Sequence, residues 1–179
     1  MKKILILVLV ALGMVGCGTP AGDNVDKYVA GETYVQQKID YEVLDLINEK
    51  RAIIQTCGGV SYPAVGPITI DENINQYPAD WASTRTVDDV GHGDFHKRSE
   101  VIRADIDAKQ GIYWRSIGEN NAVGQKSAEQ VVNDWMRSPG HCRNIMQPQW
   151  ERVGVATVNI GSKYEPVLSF STLFVGTRG

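Results

Sequence analysis

The chain predicts an α+β sandwich, on three observations. Apolar residues recur at helical spacing early in the chain, an amphipathic helix with a capping signal opens at Ser127, and the C-terminal third is rich in Val, Thr and Phe. Helices first and strands interleaved late argue against a doubly wound parallel sheet, in which the two alternate. The 179 residues suffice for one well-filled core and not for two. No internal repeat stands out. The formal charge is −3 and no basic block exists, which argues against nucleic acid as a partner.

Residues 1–16 read as a lipoprotein signal peptide. Met1-Lys2-Lys3 is a short positive segment, and the apolar run from Ile4 to Val15 is too short to span a bilayer. Met14-Val15-Gly16-Cys17 resembles a lipobox, with Met14 where Leu is usual. Cleavage before Cys17 would leave that thiol to carry lipid and anchor the protein to the membrane. The alternatives are an ordinary signal peptide or an N-terminal anchor. Gly18, rather than Asp, follows the cysteine, which directs a lipoprotein to the outer membrane of a Gram-negative cell. In a Gram-positive cell the same anchor sits on the outer face of the cytoplasmic membrane. Residues 17–33, rich in Gly, Ala, Asp, Asn and Thr, read as a flexible tether, and residues 34–179 as the folded domain.

Within that domain, Val35, Ile39, Val43, Leu46 and Ile47 predict a helix running to about Ile54. Gly58-Gly59 ends that region, and a loop with Pro63 and Pro67 follows. Ile68-Thr69-Ile70 is a short extended piece, and Asp71 is a candidate N-cap for a second helix that Pro78 should kink or interrupt. Residues 88–118 are turn-rich, with one short helix expected around Ser99–Asp107. Ser127 and Gln130 form a capping box for a helix whose buried stripe is Ala128, Val131, Val132, Trp135 and Met136. Pro139-Gly140 stops it. Arg152–Ile160 and Val167–Val175 are the predicted strands.

Gly118-Glu119-Asn120, together with Ser138-Pro139-Gly140-His141 and Asn144-Ile145, resembles the signature of the CAP superfamily (cysteine-rich secretory proteins, antigen 5, pathogenesis-related class 1). The resemblance runs from about Ile39 to Val175. It implies a three-layer α-β-α sandwich with a largely antiparallel central sheet, and a cavity built from histidine and glutamate. Glu119 and His141 match cavity positions, and His92 in Val90-Gly91-His92-Gly93 fits the other histidine, with His96 as competitor. His96, in the charged segment Phe95-His96-Lys97-Arg98, is expected to be solvated. Plant and animal members carry a second glutamate three residues after the helix tryptophan; here that position is Ser138.

Two imidazoles and a carboxylate, His92, His141 and Glu119, are the protein half of an open site for Zn²⁺ or another divalent ion. A metal-dependent hydrolase or peptidase is one reading, since bound Zn²⁺ brings the pKa of its water down to about 7. Against it, Glu119 cannot serve as both ligand and base, and no His-Glu-x-x-His run exists. In another reading the three side chains bond to one another and hold loops in place, in a structural or adhesion domain. Binding of a divalent metal, an apolar small molecule or an envelope partner is placed ahead of both. The resemblance extends to relatives that bind sterols or fatty acids, and Tyr113 and Trp114 could line a groove for lipid or peptide, or simply cover the edge of the core.

Cys57 and Cys142 remain as an even pair in an oxidising compartment. Bacterial relatives with a Thr-Cys-Gly segment after the first helix tend to have a cysteine after Gly-His, which implies a Cys57–Cys142 disulfide. The chain-entropy estimate for closing so long a loop is about 4.5 kcal/mol. The rival reading makes Cys142 a nucleophile beside His141 or a soft metal ligand.

Overall fold

The computed structural model describes residues 28–162 and 164–176; the signal segment and Cys17 lie outside them. Ile39, Val43 and Ile47 are buried on one face of helix α1 (Lys38–Arg51). The helix is shorter than its apolar pattern, with a local cap at its start and tertiary hydrogen bonds at its end. At the start, the Gln37 N–H donates to Asp40 Oδ2 at 2.9 Å, leaving Val35 outside and exposed. At the end, the buried Arg51 guanidinium leaves the helix axis to donate to the carbonyls of Gly66, Ile145 and Gln147.

Gly58 and Gly59 form the two-residue loop of a hairpin between β1 (Gln55–Cys57) and β2 (Val60–Tyr62). Both take positive φ, +61° and +84°, as a tight hairpin turn requires. After β3 (Thr69–Ile70), Asp71 caps a short 3-10 turn, Glu72–Ile74, and the helix α2 (Gln76–Ser83) begins beyond it. Pro78 neither kinks nor interrupts α2. It lies in the first turn, where a backbone N–H has no intrahelical partner to lose.

Helix α3 (Phe95–Gln110) is longer than expected, running from the Asp94 cap to Gly111 in the left-handed conformation. It fully buries Ile106 alone, so its apolar periodicity is faint. Strand β4 (Ser116–Val123) falls partly in the stretch read as turns, since its core is the polar run Gly118-Glu119-Asn120-Asn121. In α4 (Ala128–Arg137), Ser127 Oγ accepts from the Gln130 N–H at 3.1 Å, while Gln130 Oε1 reaches back to the Lys126 N–H. Pro139-Gly140 ends α4 and at once opens α5 (Pro139–Ile145), with Pro at its first position. The two late strands stand as predicted, β5 (Arg152–Asn159) and β6 (Leu168–Gly176).

The four-stranded sheet has the order β3-β5-β6-β4. β6 is antiparallel to both neighbours, whereas β3 runs parallel to β5, so the sheet is mixed. Val153, Phe170 and Phe174 face a core shared with Val43, Ile47, Val131, Trp135 and Ile145 of α1, α4 and α5. Leu173 and Val175 face a second core with Ile74, Ile106 and Trp114, against α2 and α3. The result is the three-layer α-β-α sandwich. Cys57 and Cys142 form the disulfide, tying the hairpin to α5 across a separation of 85 residues.

Because β3 covers only the first two residues of β5, the rest of that edge is left for other groups. Side chains complete it. Asn75 Oδ1 accepts from the Val155 N–H, Gln36 Nε2 donates to the Val155 carbonyl, and the Tyr34 hydroxyl and Gln37 Nε2 do the same for Thr157. Residues 28–33, whose composition reads as tether, lie against α2. Asp80 Oδ1 accepts from the Tyr28 hydroxyl at 2.6 Å and the Gly31 N–H at 2.9 Å.

Candidate functional site

The residues singled out by motif meet at β4, the outer strand on the other side of the sheet. Gly118 has no substitute there. A Cβ atom would come within 2.7 Å of Asn144 Oδ1 and 2.9 Å of the Trp150 ring. That close approach lets Asn144 Nδ2 donate to the Glu119 carbonyl and to Asn120 Oδ1, while Trp150 Nε1 holds the Asn144 carbonyl at 2.6 Å. Trp135 Nε1 donates to the Asn121 carbonyl. The polar outer edge of β4 is thus capped by indole and amide side chains from α4 and α5.

Alternation along β4 sends neighbouring side chains to opposite layers. Asn120 faces α5 and donates to the His141 carbonyl at 3.4 Å. Glu119 faces α3. Its buried carboxylate accepts from Arg98 Nη2 at 2.9 and 3.1 Å, meets His92 Nδ1 at 2.9 Å, and accepts from Asn121 Nδ2 at 3.2 Å. Arg98 Nη2 also donates to the His92 carbonyl, so one guanidinium fixes both the carboxylate and the loop that carries His92. The guanidinium carbon lies 3.4 Å from the centre of the Trp81 ring, a cation–π contact that holds the arginine from behind.

His92 and His141 arrive from different layers and meet at the strand edge, ring centres 5.8 Å apart and planes tilted by 60°. Burial first, and the neighbouring His92 second, hold the His141 pKa below the usual histidine value. A neutral imidazole therefore stands there at neutral pH, with a lone pair to offer. His96 is solvated, 86% exposed and 3.7 Å from Glu100. Ser138 forms the corner between α4 and α5: its N–H donates to the carbonyls of Asp134 and Trp135, and its own carbonyl accepts from the Cys142 N–H. Cys142 is spent in the disulfide, which removes it as nucleophile or metal ligand.

Arg98 is the site residue that the sequence reading missed, having been placed in a surface-like segment. The available signal was its position in the first turn of α3, where a cation opposes the helix dipole and needs a partner elsewhere. Trp114 is buried with Nε1 on Gln110 Oε1, covering the second core. Tyr113 is exposed. The groove beside Trp114 is lined by Asp71, Glu72, Lys109 and Arg152, and is polar in character.

The sequence model of the cysteine-rich secretory protein family, CAP, matches residues 44–176. The uncharacterized protein YkwD of Bacillus subtilis (strain 168) is 32% identical over 114 residues, covering 64% of this chain and 44% of that relative. The chain thus aligns with less than half the length of that relative. Among solved structures, an outer surface protein from Borrelia burgdorferi superposes with a TM-score of 0.57 at 17% identity, covering 80% of this chain and 97% of that one. NaASP2, crystallised with Zn²⁺, superposes with a TM-score of 0.53 at 13% identity, covering 84% and 85%.

Proposed function

This chain belongs to the cysteine-rich secretory protein (CAP) family, and from that premise we propose that it is an extracytoplasmic binding domain whose His92–His141 pair takes a divalent cation. The observation that carries the reading is the 5.8 Å approach of the two imidazoles beside a carboxylate that is already occupied. Among the described residues no three His, Cys, Asp or Glu side chains form a ready-made cage. The donor set that fits an ion is therefore two ring nitrogens, open to water or to a ligand group on the outer side. His92 Nδ1 is held by Glu119, which orients the ring and leaves Nε2 as its metal-binding nitrogen. A neutral His141 supplies the second. NaASP2, of the same fold, holding Zn²⁺ in its crystal is consistent with this assignment.

A bound Zn²⁺ would act as a Lewis acid on whatever oxygen it met. The chain's own groups favour binding over turnover. Glu119, the carboxylate a hydrolytic mechanism would use as base, is engaged by Arg98, His92 and Asn121. Ser138 supplies no second carboxylate. The disulfide, the family and the sequence of residues 1–17 support placement at the cell envelope through a lipid on Cys17.

Zn²⁺ titration by calorimetry, beside a His92→Ala/His141→Ala variant, tests the cation site. One-to-one binding that disappears in the variant is the expected result. Equal heats in the two proteins would assign the histidines to loop anchoring alone.

A further inference from the structure

The two histidines are held by different means. His141 is next to Cys142 on α5, which the disulfide fixes. His92 lies in the loop between α2 and α3, where Glu119 meets its ring and Arg98 Nη2 donates to its carbonyl at 3.0 Å. Whatever fixes Arg98 therefore decides where His92 stands.

Trp81 meets Arg98 on one face and a second arginine on the other. The guanidinium carbons of Arg98 and Arg85 lie 3.4 and 3.8 Å from the centre of the same indole. Two groups that each cover the ring centre at van der Waals distance cannot share a face, so the ring is clamped between them. Like charges across one ring repel, and carboxylates offset this from both ends: Glu119 accepts from Arg98, and Asp89 pairs with Arg85 at 3.2 Å. Asp89 is 68% exposed, so its ion pair is weak, yet the Arg85 side chain is only 11% exposed. The ring face is the contact that keeps it in place.

The clamp also reaches the loop that carries His92, from both sides. Thr86 and Asp89 exchange backbone hydrogen bonds of 3.4 and 3.2 Å, closing a tight turn that Arg85 anchors through Asp89. One residue past His92, Gly93 takes φ +50° and packs on the indole edge, where a Cβ would come within 2.8 Å of Trp81 Cη2. The indole N–H has no acceptor among the described residues, so the faces and the edge of the ring make its contacts.

We propose that Trp81 is the positioning residue for the His92 half of the cation site, a role that rests on His92 and His141 being the ligands of the ion. The indole touches neither histidine ring. It acts through Arg98, which joins the His92 carbonyl to Glu119, and through the backbone at Gly93. One half of the site is thus set by a covalent bond and the other by a clamped ring.

Two measurements on the full protein test this: Zn²⁺ titration by calorimetry, and long-range ¹H–¹⁵N NMR of the imidazoles with no metal present. Trp81→Leu should weaken Zn²⁺ binding about tenfold, as loss of a group that orients a ligand does. In metal-free buffer alkaline enough to keep the imidazoles neutral, His92 of the parent should show one dominant tautomer, protonated on Nδ1 against Glu119. Trp81→Leu should show a mixture at His92 and leave His141 unchanged. Trp81→Phe, which keeps a face for both arginines, should bind Zn²⁺ with an affinity between those of the parent and Trp81→Leu. Arg85→Met, on the face away from Glu119, should lose about threefold and keeps the test open if the leucine variant folds poorly. An unchanged His92 spectrum in Trp81→Leu, equal losses in the leucine and phenylalanine variants, or a change at His141 as large as that at His92 would each overturn the proposal. A parent that takes up no Zn²⁺ would overturn the cation site instead, and the metal-free His92 spectrum would still decide whether Trp81 holds that loop.

Discussion

The two open edges of the sheet are closed by the same device and used differently. On β5, Asn75, Tyr34, Gln36 and Gln37 satisfy the backbone groups of Val155 and Thr157. On β4, Trp135 and Asn144 satisfy the carbonyls of Asn121 and Glu119. Neither edge is left as a template for another strand. The difference lies in what holds the capping groups. The β4 edge is pinned by a disulfide, a buried ion pair and an indole on each flank. The β5 edge is held by a segment bound through hydrogen bonds, one of them to the buried carboxylate of Asp40. The rigid edge carries the histidines, and the titratable edge holds the N-terminal segment.

The largest effect should come from cutting the covalent pin. Cys57→Ala/Cys142→Ala is expected to lose about 4 kcal/mol of stability in chemical denaturation, since the bond closes a long loop. His92 is held by Arg98 and Glu119, not by α5, so its contact with Glu119 should persist in the folded variant.

Next is Arg98→Met, which leaves the Glu119 carboxylate buried without its cation. Removing one partner of a buried pair costs about 3–5 kcal/mol, and this arginine, a quarter exposed, belongs at the low end. Glu119→Gln in the same chain should restore part of the loss. No recovery in the double variant would mean that Arg98 acts mainly by packing on Trp81.

The β5 edge should answer to pH instead. Asp40 is fully buried, and burial pushes its pKa up to about 6, partly offset by hydrogen bonds from the Gln37 N–H and the Tyr34 hydroxyl. The folded protein thus binds this proton more tightly than the unfolded chain does. Asp40 therefore lowers stability as pH rises from about 4 to about 6, with no further change above, by an amount on the order of 2–3 kcal/mol. Denaturation midpoints across that window, compared with Asp40→Asn, should show this slope disappear in the variant. A slope of the same size in Asp40→Asn would move the effect to other carboxylates.

The smallest change sharpens the same point. Tyr34→Phe removes the hydroxyl that donates to Asp40 Oδ2 at 2.7 Å and accepts from the Thr157 N–H at 3.0 Å, at an expected cost of about 1 kcal/mol. Its Asp40 should titrate higher still, having lost a donor that favours the charged form.

Local chemistry was legible wherever it repeats along the chain. The helical spacing in α1 and α4, the Val, Thr and Phe enrichment of β5 and β6, and the Gly-Glu-Asn and Gly-His runs all identify themselves without tertiary information. The resemblance they carry located His92, Glu119, His141 and the Cys57–Cys142 bond, and the structure brings these together. Less could be read where an element draws its order from distant groups. Strand β4 looks like turn because its polar side chains are satisfied by Asn144, Arg98 and Ser171, and its Asn121 carbonyl by Trp135. Helix α3 hides because it presents little apolar surface to the core.

What the sequence determined by itself was therefore the family, with the layer order that membership implies, and the identity of His92, Glu119 and His141 as candidates, since these rest on short motifs. What the tertiary structure decided was the state of those groups. A carboxylate can be ligand, base or anchor, and its role depends on which cation reaches it through space. Here Arg98, 21 residues away in the chain, reaches Glu119 and makes it an anchor.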